Sequence, residues 1–454
     1  MLLVLFSRGY SQFGPQQIIS EDAFGYPKIT TADVDSDGDL DILLAGQYDI
    51  SWYENTNGMG LFGGKQVVAE NSDELALAVS AADLDGDGDL DVLSSFSYDW
   101  TGISKIAWNE NLDGLGHFGP QQVIDDGTNV FSVFTIMGAD LDNDGDTDVL
   151  IVDRNSDTIA WYKNLGGLGD FGNRITISTA LDWPIDAVIA DIDNDGNYDI
   201  LSHGLEGDHI GWFENFDGLG SFGAVKIITT EVDGPLHIYA ADIDMDGDLD
   251  VVSGSIHDNK IAWYENTDGE GTFGSQMVIM EETFSPRTLY VEDIDNDGDM
   301  DIITSLYENG MGEIFWLSNL DGQGNFSDPQ LISNEVLYTT SVIAKDIDLD
   351  QDYDVVSASH FDQKIAWYEN QTILNTSDFN YPKSDLFPNP FDTVVNVTSE
   401  WGIETVRVFN QLGELLISRD YVKEIDTRIL QQGMYFFELV YSSGETQYFK
   451  MIKK

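Results

Sequence analysis

The chain has 454 residues, of which 82 are Asp or Glu and only 20 are Lys or Arg, a formal net charge of -62. A chain this acidic does not hold a nucleic-acid backbone or an anionic membrane surface by charge, and the absence of cysteine excludes disulfides, thiolate zinc sites and thiol nucleophiles. Hydrophobic residues make up 42% and aromatics 12%, enough for a sizeable core, and the acids gather in compact clusters between apolar runs, which indicates bound cations and not disorder.

The N-terminus reads Met1-Leu-Leu-Val-Leu-Phe6 and then Gly9-Tyr10-Ser11. A short apolar run followed by small residues is the tail of a secretory signal peptide, expected over residues 1–12; a frayed N-terminal strand is the alternative. No stretch approaches the ~18 apolar residues of a membrane span.

From residue 13 to 370 the sequence repeats itself. An acidic nonapeptide begins at Asp33, Asp83, Asp140, Asp191, Asp242, Asp293 and Asp346, at intervals of 50, 57, 51, 51, 51 and 53 residues. After each comes a Trp motif, such as Trp52-Tyr-Glu-Asn55 or Trp161-Tyr-Lys-Asn164, and then a glycine turn that closes on Phe-Gly. Each unit therefore carries four short apolar runs divided by turn chemistry, the pattern of a four-stranded antiparallel sheet. In the second unit these are strand A near Ala76–Leu84, B near Leu90–Phe96, C near Lys105–Asn111 and D near His117–Ile124. Several runs are apolar on both alternating faces, as in sheets stacked face to face. The prediction is an all-β, seven-bladed β-propeller. Phe13–Ile19 is a D strand with nothing before it, and the last unit stops after strand C at Asn370. The surplus strand can complete the seventh blade and close the ring.

The nonapeptide carries the chemistry. Asp at positions 1, 3 and 5 with Gly at 6 wraps oxygens around calcium; position 7 offers its carbonyl and an acid further on closes the shell. An EF-hand would place Glu at position 12, where this chain has Leu44 within a strand, so Asp41 at position 9 is the closing carboxylate. The expected ligand residues are Asp33, Asp35, Asp37, Asp39 and Asp41; Asp83, Asp85, Asp87, Asp89 and Asp91; and Asp140, Asp142, Asp144, Asp146 and Asp148. The fourth to seventh sets are Asp191, Asp193, Asp195, Asn197 and Asp199; Asp242, Asp244, Asp246, Asp248 and Asp250; Asp293, Asp295, Asp297, Asp299 and Asp301; and Asp346, Asp348, Asp350, Asp352 and Asp354. Asp-rich turns that merely cap their own backbone are the bland alternative. Against it, like charges ~4–5 Å apart cost roughly 3–4 kcal/mol per pair at an effective dielectric of ~20. Hard oxygen donors favour Ca²⁺, about one per blade, over softer metals, and unconstrained geometry favours it over Mg²⁺. The seventh loop has Gln351 where Gly is expected and is the weakest candidate.

With Phe-Gly before strand A and Asp-x-Asp-x-Asp-Gly-x-x-Asp after it, residues 13–370 resemble the FG-GAP/VCBS repeat family, the propeller type also found in integrin α subunits. The resemblance implies calcium in the A–B loops, on the face opposite the usual ligand surface. Residues 371–383 read as a linker. From Ser384, the landmarks Leu386-Phe-Pro-Asn-Pro-Phe391, Val406-Arg-Val-Phe-Asn-Gln-Leu-Gly413, Leu430-Gln-Gln-Gly-Met-Tyr435 and Lys450-Met-Ile-Lys-Lys454 resemble the C-terminal sorting domain of type IX secretion substrates, with alternation that indicates a small Ig-like β-sandwich. That resemblance implies the type IX secretion machinery as a partner and a place outside a Gram-negative cell or on its outer surface.

Two functions are open. The first is a monomeric module that binds an extracellular glycan or surface protein through the D–A and B–C loops, with Tyr26, Tyr48, Trp100, Trp183, His237 and Tyr307 as candidate contacts. The second is a propeller-type polysaccharide lyase or hydrolase, for which His203, His257 and His360 follow strand B, with Glu206 and Asp208 nearby. No catalytic residue is assigned, because no blade carries a unique insertion apart from Tyr98–Ser104 in the 57-residue interval.

Overall fold

A computed structural model describes residues 12–98, 102–127, 130–281, 285–308 and 311–371, and in the C-terminal part 384–388, 390–399, 403–410, 415–420, 423–441 and 446–454. The signal-peptide stretch lies almost wholly outside these residues, as do the linker beyond residue 371 and Trp100. The chain divides into two compact units, Met1–Thr372 and Ile373–Lys454.

The first unit consists of seven four-stranded antiparallel sheets. Blade 1 runs Lys28–Ala32, Asp41–Ala45, Asp49–Tyr53 and Gln66–Glu70, as strands A to D. Blade 2 runs Leu75–Ala82, Asp91–Ser97, Ser104–Asn109 and Gln122–Asp125. Blades 3 to 6 repeat this order, from Val133–Ala139, Ala187–Ala190, Pro235–Ala241 and Ser285–Glu292. The D strand is shorter than the sequence suggests. Phe118 makes an isolated bridge to Asn111, and the Gly119 amide donates to the Glu110 carbonyl at 2.7 Å, before the strand proper begins at Gln122. The Phe-Gly pair is thus a narrow clasp on strand C.

Blade 7 takes Thr339–Lys345, Asp354–Ser359 and Lys364–Tyr368 from the end of the repeats and Gln17–Ser20 from the beginning. Gln17 faces Trp367, Ile18 faces Ala366 and Phe13 bridges Asn370, so the surplus strand does close the ring.

The B strands explain why the blades stack: Asp41–Ala45, Asp91–Ser97 and Asp148–Asp153 are buried at every residue. One apolar cluster lies between each successive pair of blades, such as Leu43, Ile50 and Trp52 of blade 1 against Ala76, Val92 and Phe96 of blade 2. Across the seam, Ile42, Leu44 and Tyr53 pack on Val356, Ile365 and Trp367. Each fully buried side chain of this size contributes roughly 1.5–3 kcal/mol. The glycine turns allow this approach. At Gly116, φ is 75° and an added Cβ would lie 2.3 Å from the Trp52 ring of the preceding blade; Gly220 meets Trp161 in the same way.

The second unit is also all-β. It has a three-stranded sheet of Ser384–Phe387, Val394–Ser399 and Glu424–Asp426, and a four-stranded sheet ordered Leu415–Asp420, Ile403–Phe409, Gly433–Tyr441, Thr446–Lys453. Phe391, Val395, Val406, Val408, Phe437 and Leu439 form its core.

Candidate functional site

Each A–B hairpin winds its nonapeptide into a loop whose acids are held by backbone amides. In blade 1, Asp33 accepts from the amides of Asp37 (3.1 Å) and Gly38 (3.2 Å), and Asp37 accepts from the amide of Asp39 at 3.1 Å. Two residues in the loop have left-handed backbone. Position 6 was expected, and Gln351 adopts it at φ 80° despite its side chain. Position 4 was not foreseen: Ser36, Asn143, Asn194, Met245, Asn296 and Leu349 have φ between 55° and 60°, with Gly86 in the same place. Asn at three of these positions, and Gly at a fourth, was the available signal.

The position-9 acid does two jobs. Asp41 is fully buried; its Oδ2 accepts the Val34 amide at 3.0 Å and its Oδ1 the Asn55 amide at 2.8 Å. Both bonds recur in the other blades, for example Leu141 and Asn164 on Asp148. The Asn that ends the Trp motif then reaches into the preceding blade: Asn55 Nδ2 donates to Ile347 O at 2.8 Å, Asn111 to Val34 O and Asn215 to Leu141 O. A buried Asn thus fastens each acid loop to the next blade, a role the sequence reading did not give it.

The position-3 acids show what the loops lack. Asp35, Asp85, Asp142, Asp193, Asp244, Asp295 and Asp348 each bury an Oδ1 atom with no hydrogen-bond partner. A buried carboxylate oxygen without a donor is costly, and a cation in the loop would relieve that cost. Ligand oxygens of Asp83, Asp85 and Asp91, of Asp140, Asp142 and Asp148, and of Asp191, Asp193 and Asp199 lie within 4.8 Å of one another, as do those of Asp33, Asp35 and Asp37. These clusters can hold metal ions. Two position-7 side chains, Asp89 and Asp146, lie against the glycine turns at Gly114 and Gly167, whereas Asp39 and Asp352 each bury an Oδ1 atom without a hydrogen-bond partner beside the other loop acids.

Electrostatics agree with this arrangement. Burial pushes the carboxyls of Asp41, Asp91, Asp148, Asp199 and Asp250 up to about 7, against the two backbone hydrogen bonds each accepts. Asp301 and Asp354 are raised by burial to about 8. Burial and the neighbouring Asp37, Asp87 and Asp246 raise Asp35, Asp85 and Asp244, with Glu54, Glu110 and Glu265 of the Trp motifs adding to the effect. Those Glu residues are therefore further oxygen donors beside the loops. Blade 3 differs. Lys163 replaces Glu in its Trp motif, and its Nζ contacts Asp142 and lies 2.8 Å from Asp144. Hydrogen bonding to Lys163 holds the Asp144 carboxyl below its ordinary range.

The opposite end of the ring carries the D–A and B–C loops. Tyr26 stacks on His360 at 4.3 Å and meets Tyr338 edge-on at 5.9 Å; Tyr307 lies 4.6 Å from Tyr338. Arg287 sits over Tyr338 at 5.1 Å and Tyr307 at 5.9 Å. Trp183 is separate and lies under Arg154 at 5.0 Å, while exposed Tyr48 accepts a hydrogen bond from Gln47. His237 pairs with Asp186 at 3.4 Å. Burial pulls the Lys28 ammonium down, and nearby Asp186 opposes this; Lys28 Nζ donates to Phe134 O at 2.9 Å. Burial by itself would raise the Asp186 carboxyl, but His237, Lys28 and His203 hold it below its ordinary range. Tyr338, Arg287 and Lys28 were missed as contacts. Their signal was a polar or aromatic residue in the register five to eight places before a nonapeptide.

The three histidines of the enzyme reading sit in three different settings. His203 is wholly buried, and burial depresses it to about 4. His257 lies 3.1 Å from Asp233, and His360 is the stacking partner of Tyr26.

Fold and loops together define an all-β propeller with acidic metal-type loops on one face and an aromatic mouth on the other. The FG-GAP-like repeat model matches residues 33–94, 140–202 and 242–304, and the secretion system C-terminal sorting domain matches residues 385–454. The chain thus carries three FG-GAP-like repeats within its propeller and, at its C-terminus, a type IX sorting domain, which directs it out of the cell or to the outer surface. No curated protein matches it significantly. Among solved structures it is similar to an Agrocybe aegerita lectin that recognises non-reducing terminal N-acetylglucosamine: 21% identity, 68% of this chain and 80% of that one, TM-score 0.50. It is also similar to the extracellular domain of a two-component system from B. thetaiotaomicron, at 11% identity over 97% of this chain and 59% of that one, TM-score 0.50. These likenesses show the fold. No helix among the described residues is long and apolar enough to cross a membrane.

Proposed function

We propose that the secreted propeller is a monomeric, calcium-loaded module that binds an extracellular glycan through the face opposite its acid loops. The observation that carries the ligand side is the aromatic mouth, where Tyr26, His360, Tyr338 and Tyr307 gather from blades 1, 6 and 7 around Arg287. Such rings offer flat apolar faces to the C–H side of a sugar, and phenols and charged tips reach its hydroxyls. Trp183 and Tyr48 extend the same face as outlying contacts. The lectin of similar fold supports a sugar over a surface protein as ligand.

For the metal side, calcium takes oxygens from positions 1, 3, 5 and 9 and the carbonyl of position 7. The position-9 oxygens keep lone pairs beyond the amides they accept. Bound calcium neutralises the acid face and supplies the partner that the orphaned position-3 oxygens lack. A glycan array at millimolar calcium, scored for both retention and cleavage, tests the reading. Retention without cleavage supports it; cleavage establishes the lyase or hydrolase alternative; neither retention nor cleavage refutes it.

A further inference from the structure

A cavity of about 160 Å³ opens at the aromatic mouth, on the axis of the ring. All seven blades reach it, from Tyr26 and Lys28 of blade 1 round to Tyr338 of blade 7, at the N-terminal ends of their A strands. Leu77, Phe134, Ile185 and Leu236 give it an apolar side. Its charged groups are of one sign. Lys28, Arg287 and His237 line it, and no carboxylate among the described residues does so. The chain carries 82 acids and only 20 Lys and Arg, so a pocket with two cations and no acid runs against the composition. Asp186 lies just behind His237, at 3.4 Å, and also acts on Lys28, so Arg287 is the cation of the cavity that this carboxylate does not offset. Arg287 is held by stacking on Tyr338 at 5.1 Å, yet its Nε is buried without a hydrogen-bond partner. An unpaired buried guanidinium nitrogen beside an apolar wall is a place prepared for an acceptor, and a carboxylate suits its planar fork.

We infer that the axial cavity binds the terminal residue of an acidic saccharide, a hexuronic acid whose carboxylate meets Arg287 and Lys28 while its ring stacks on Tyr26 and Tyr338. This rests on the reading of the mouth as glycan-binding and names the ligand class. The volume limits the occupant to an end group, since sites for larger ligands are roughly 300–1,000 Å³. The pseudo-symmetric ring supplies the walls, and selectivity comes from the two blades whose residue in this register is cationic.

Calorimetric titration of the full chain at millimolar calcium, with trigalacturonate, a glucuronate-terminated trisaccharide and the carboxyl-reduced counterpart of each, tests the inference. At least one acid should bind tenfold or more tightly than its reduced counterpart. Arg287→Gln should remove that preference, so that acid and reduced forms bind alike. Comparison of acid and reduced sugars on the unaltered protein stands even if the variant fails to fold. Equal binding of acid and reduced forms, or binding of neither, overturns the inference. If the array still shows retention that Trp183→Ala or Tyr48→Ala abolishes, the propeller binds glycan elsewhere: the general reading survives and the axial site falls.

Discussion

Lys163 acts as a tethered cation in the third acid loop, and replacing it should expose a metal site that the native chain half fills with its own ammonium. Its Nζ contacts Asp142 and lies 2.8 Å from Asp144, where the equivalent residues of blades 1, 2, 4, 5 and 7 are Glu54, Glu110, Glu214, Glu265 and Glu369. Two unit charges 4 Å apart attract by ~4 kcal/mol at an effective dielectric of ~20. Lys163 and Asp144 are each about a third exposed, so screening leaves no more than ~1 kcal/mol per contact. An ion entering this loop must displace both contacts, a loss of about 2 kcal/mol, which weakens its affinity by more than tenfold. This ranks the third loop below the seventh, where Gln351 already adopts its left-handed turn at φ 80°. Lys163→Glu restores the donor found in five of the other six loops. Calcium titration of chelator-stripped protein by calorimetry and native mass spectrometry should show one more tight equivalent in K163E than in the native chain, with Lys163→Gln intermediate. Without calcium, K163E should melt lower than the native chain, because an internal counter-ion has become another acid. With calcium the difference should vanish or reverse. Superimposable isotherms for native protein and K163E would refute the reasoning.

Removing calcium should lower the propeller's melting temperature steeply, since each site at a hundredfold excess of free ion adds ~2.7 kcal/mol, while the sorting unit, without such loops, keeps its transition in scanning calorimetry. The pH dependence of stability should reverse sign with metal. In the calcium-free chain, position-9 carboxyls raised to about 7, such as Asp41 and Asp199, bind more protons folded than unfolded, so stability falls as pH rises from about 4 through 7. In the loaded protein the ligands are ionised and affinity grows with pH, so melting at pH 7.5 exceeds that at pH 5 only when calcium is present. Asn215→Ala strips the buried Leu141 carbonyl of its 2.9 Å donor and should cost about 1–3 kcal/mol in denaturant unfolding; a neutral result would remove the Asn staples from the account. Gly220→Ala places a Cβ 2.3 Å from the Trp161 ring at φ 74° and should cost more, about 2–4 kcal/mol, from strain and overpacking together.

The repeat, the blade count, the ring closure by Phe13 and its neighbours, and the acid positions were all legible in the sequence. Each depends on local periodicity: an A–B hairpin of nine residues must bring its own Asp side chains together whatever else the chain does, and a strand buried on both faces must be apolar on both. The sorting domain was legible for a similar reason, from landmarks at fixed spacing. What tertiary structure decided are contacts between residues distant in sequence. Asn55 looked like the end of a strand motif, but it is a staple because Ile347 O arrives 292 residues away, across the seam. Lys163 read as one odd letter in a Trp motif; only the folded hairpin shows that it fills the space beside Asp142 and Asp144. The axial cavity was the least readable, because every blade gives one to three residues and no blade gives a pattern. Lys28, Phe134, His237, Arg287 and Tyr338 are scattered over more than 300 residues and share only a register at the start of strand A. A closed ring turns that register into a circle of neighbours, so a cationic pocket can arise within an acidic chain without leaving any local signature.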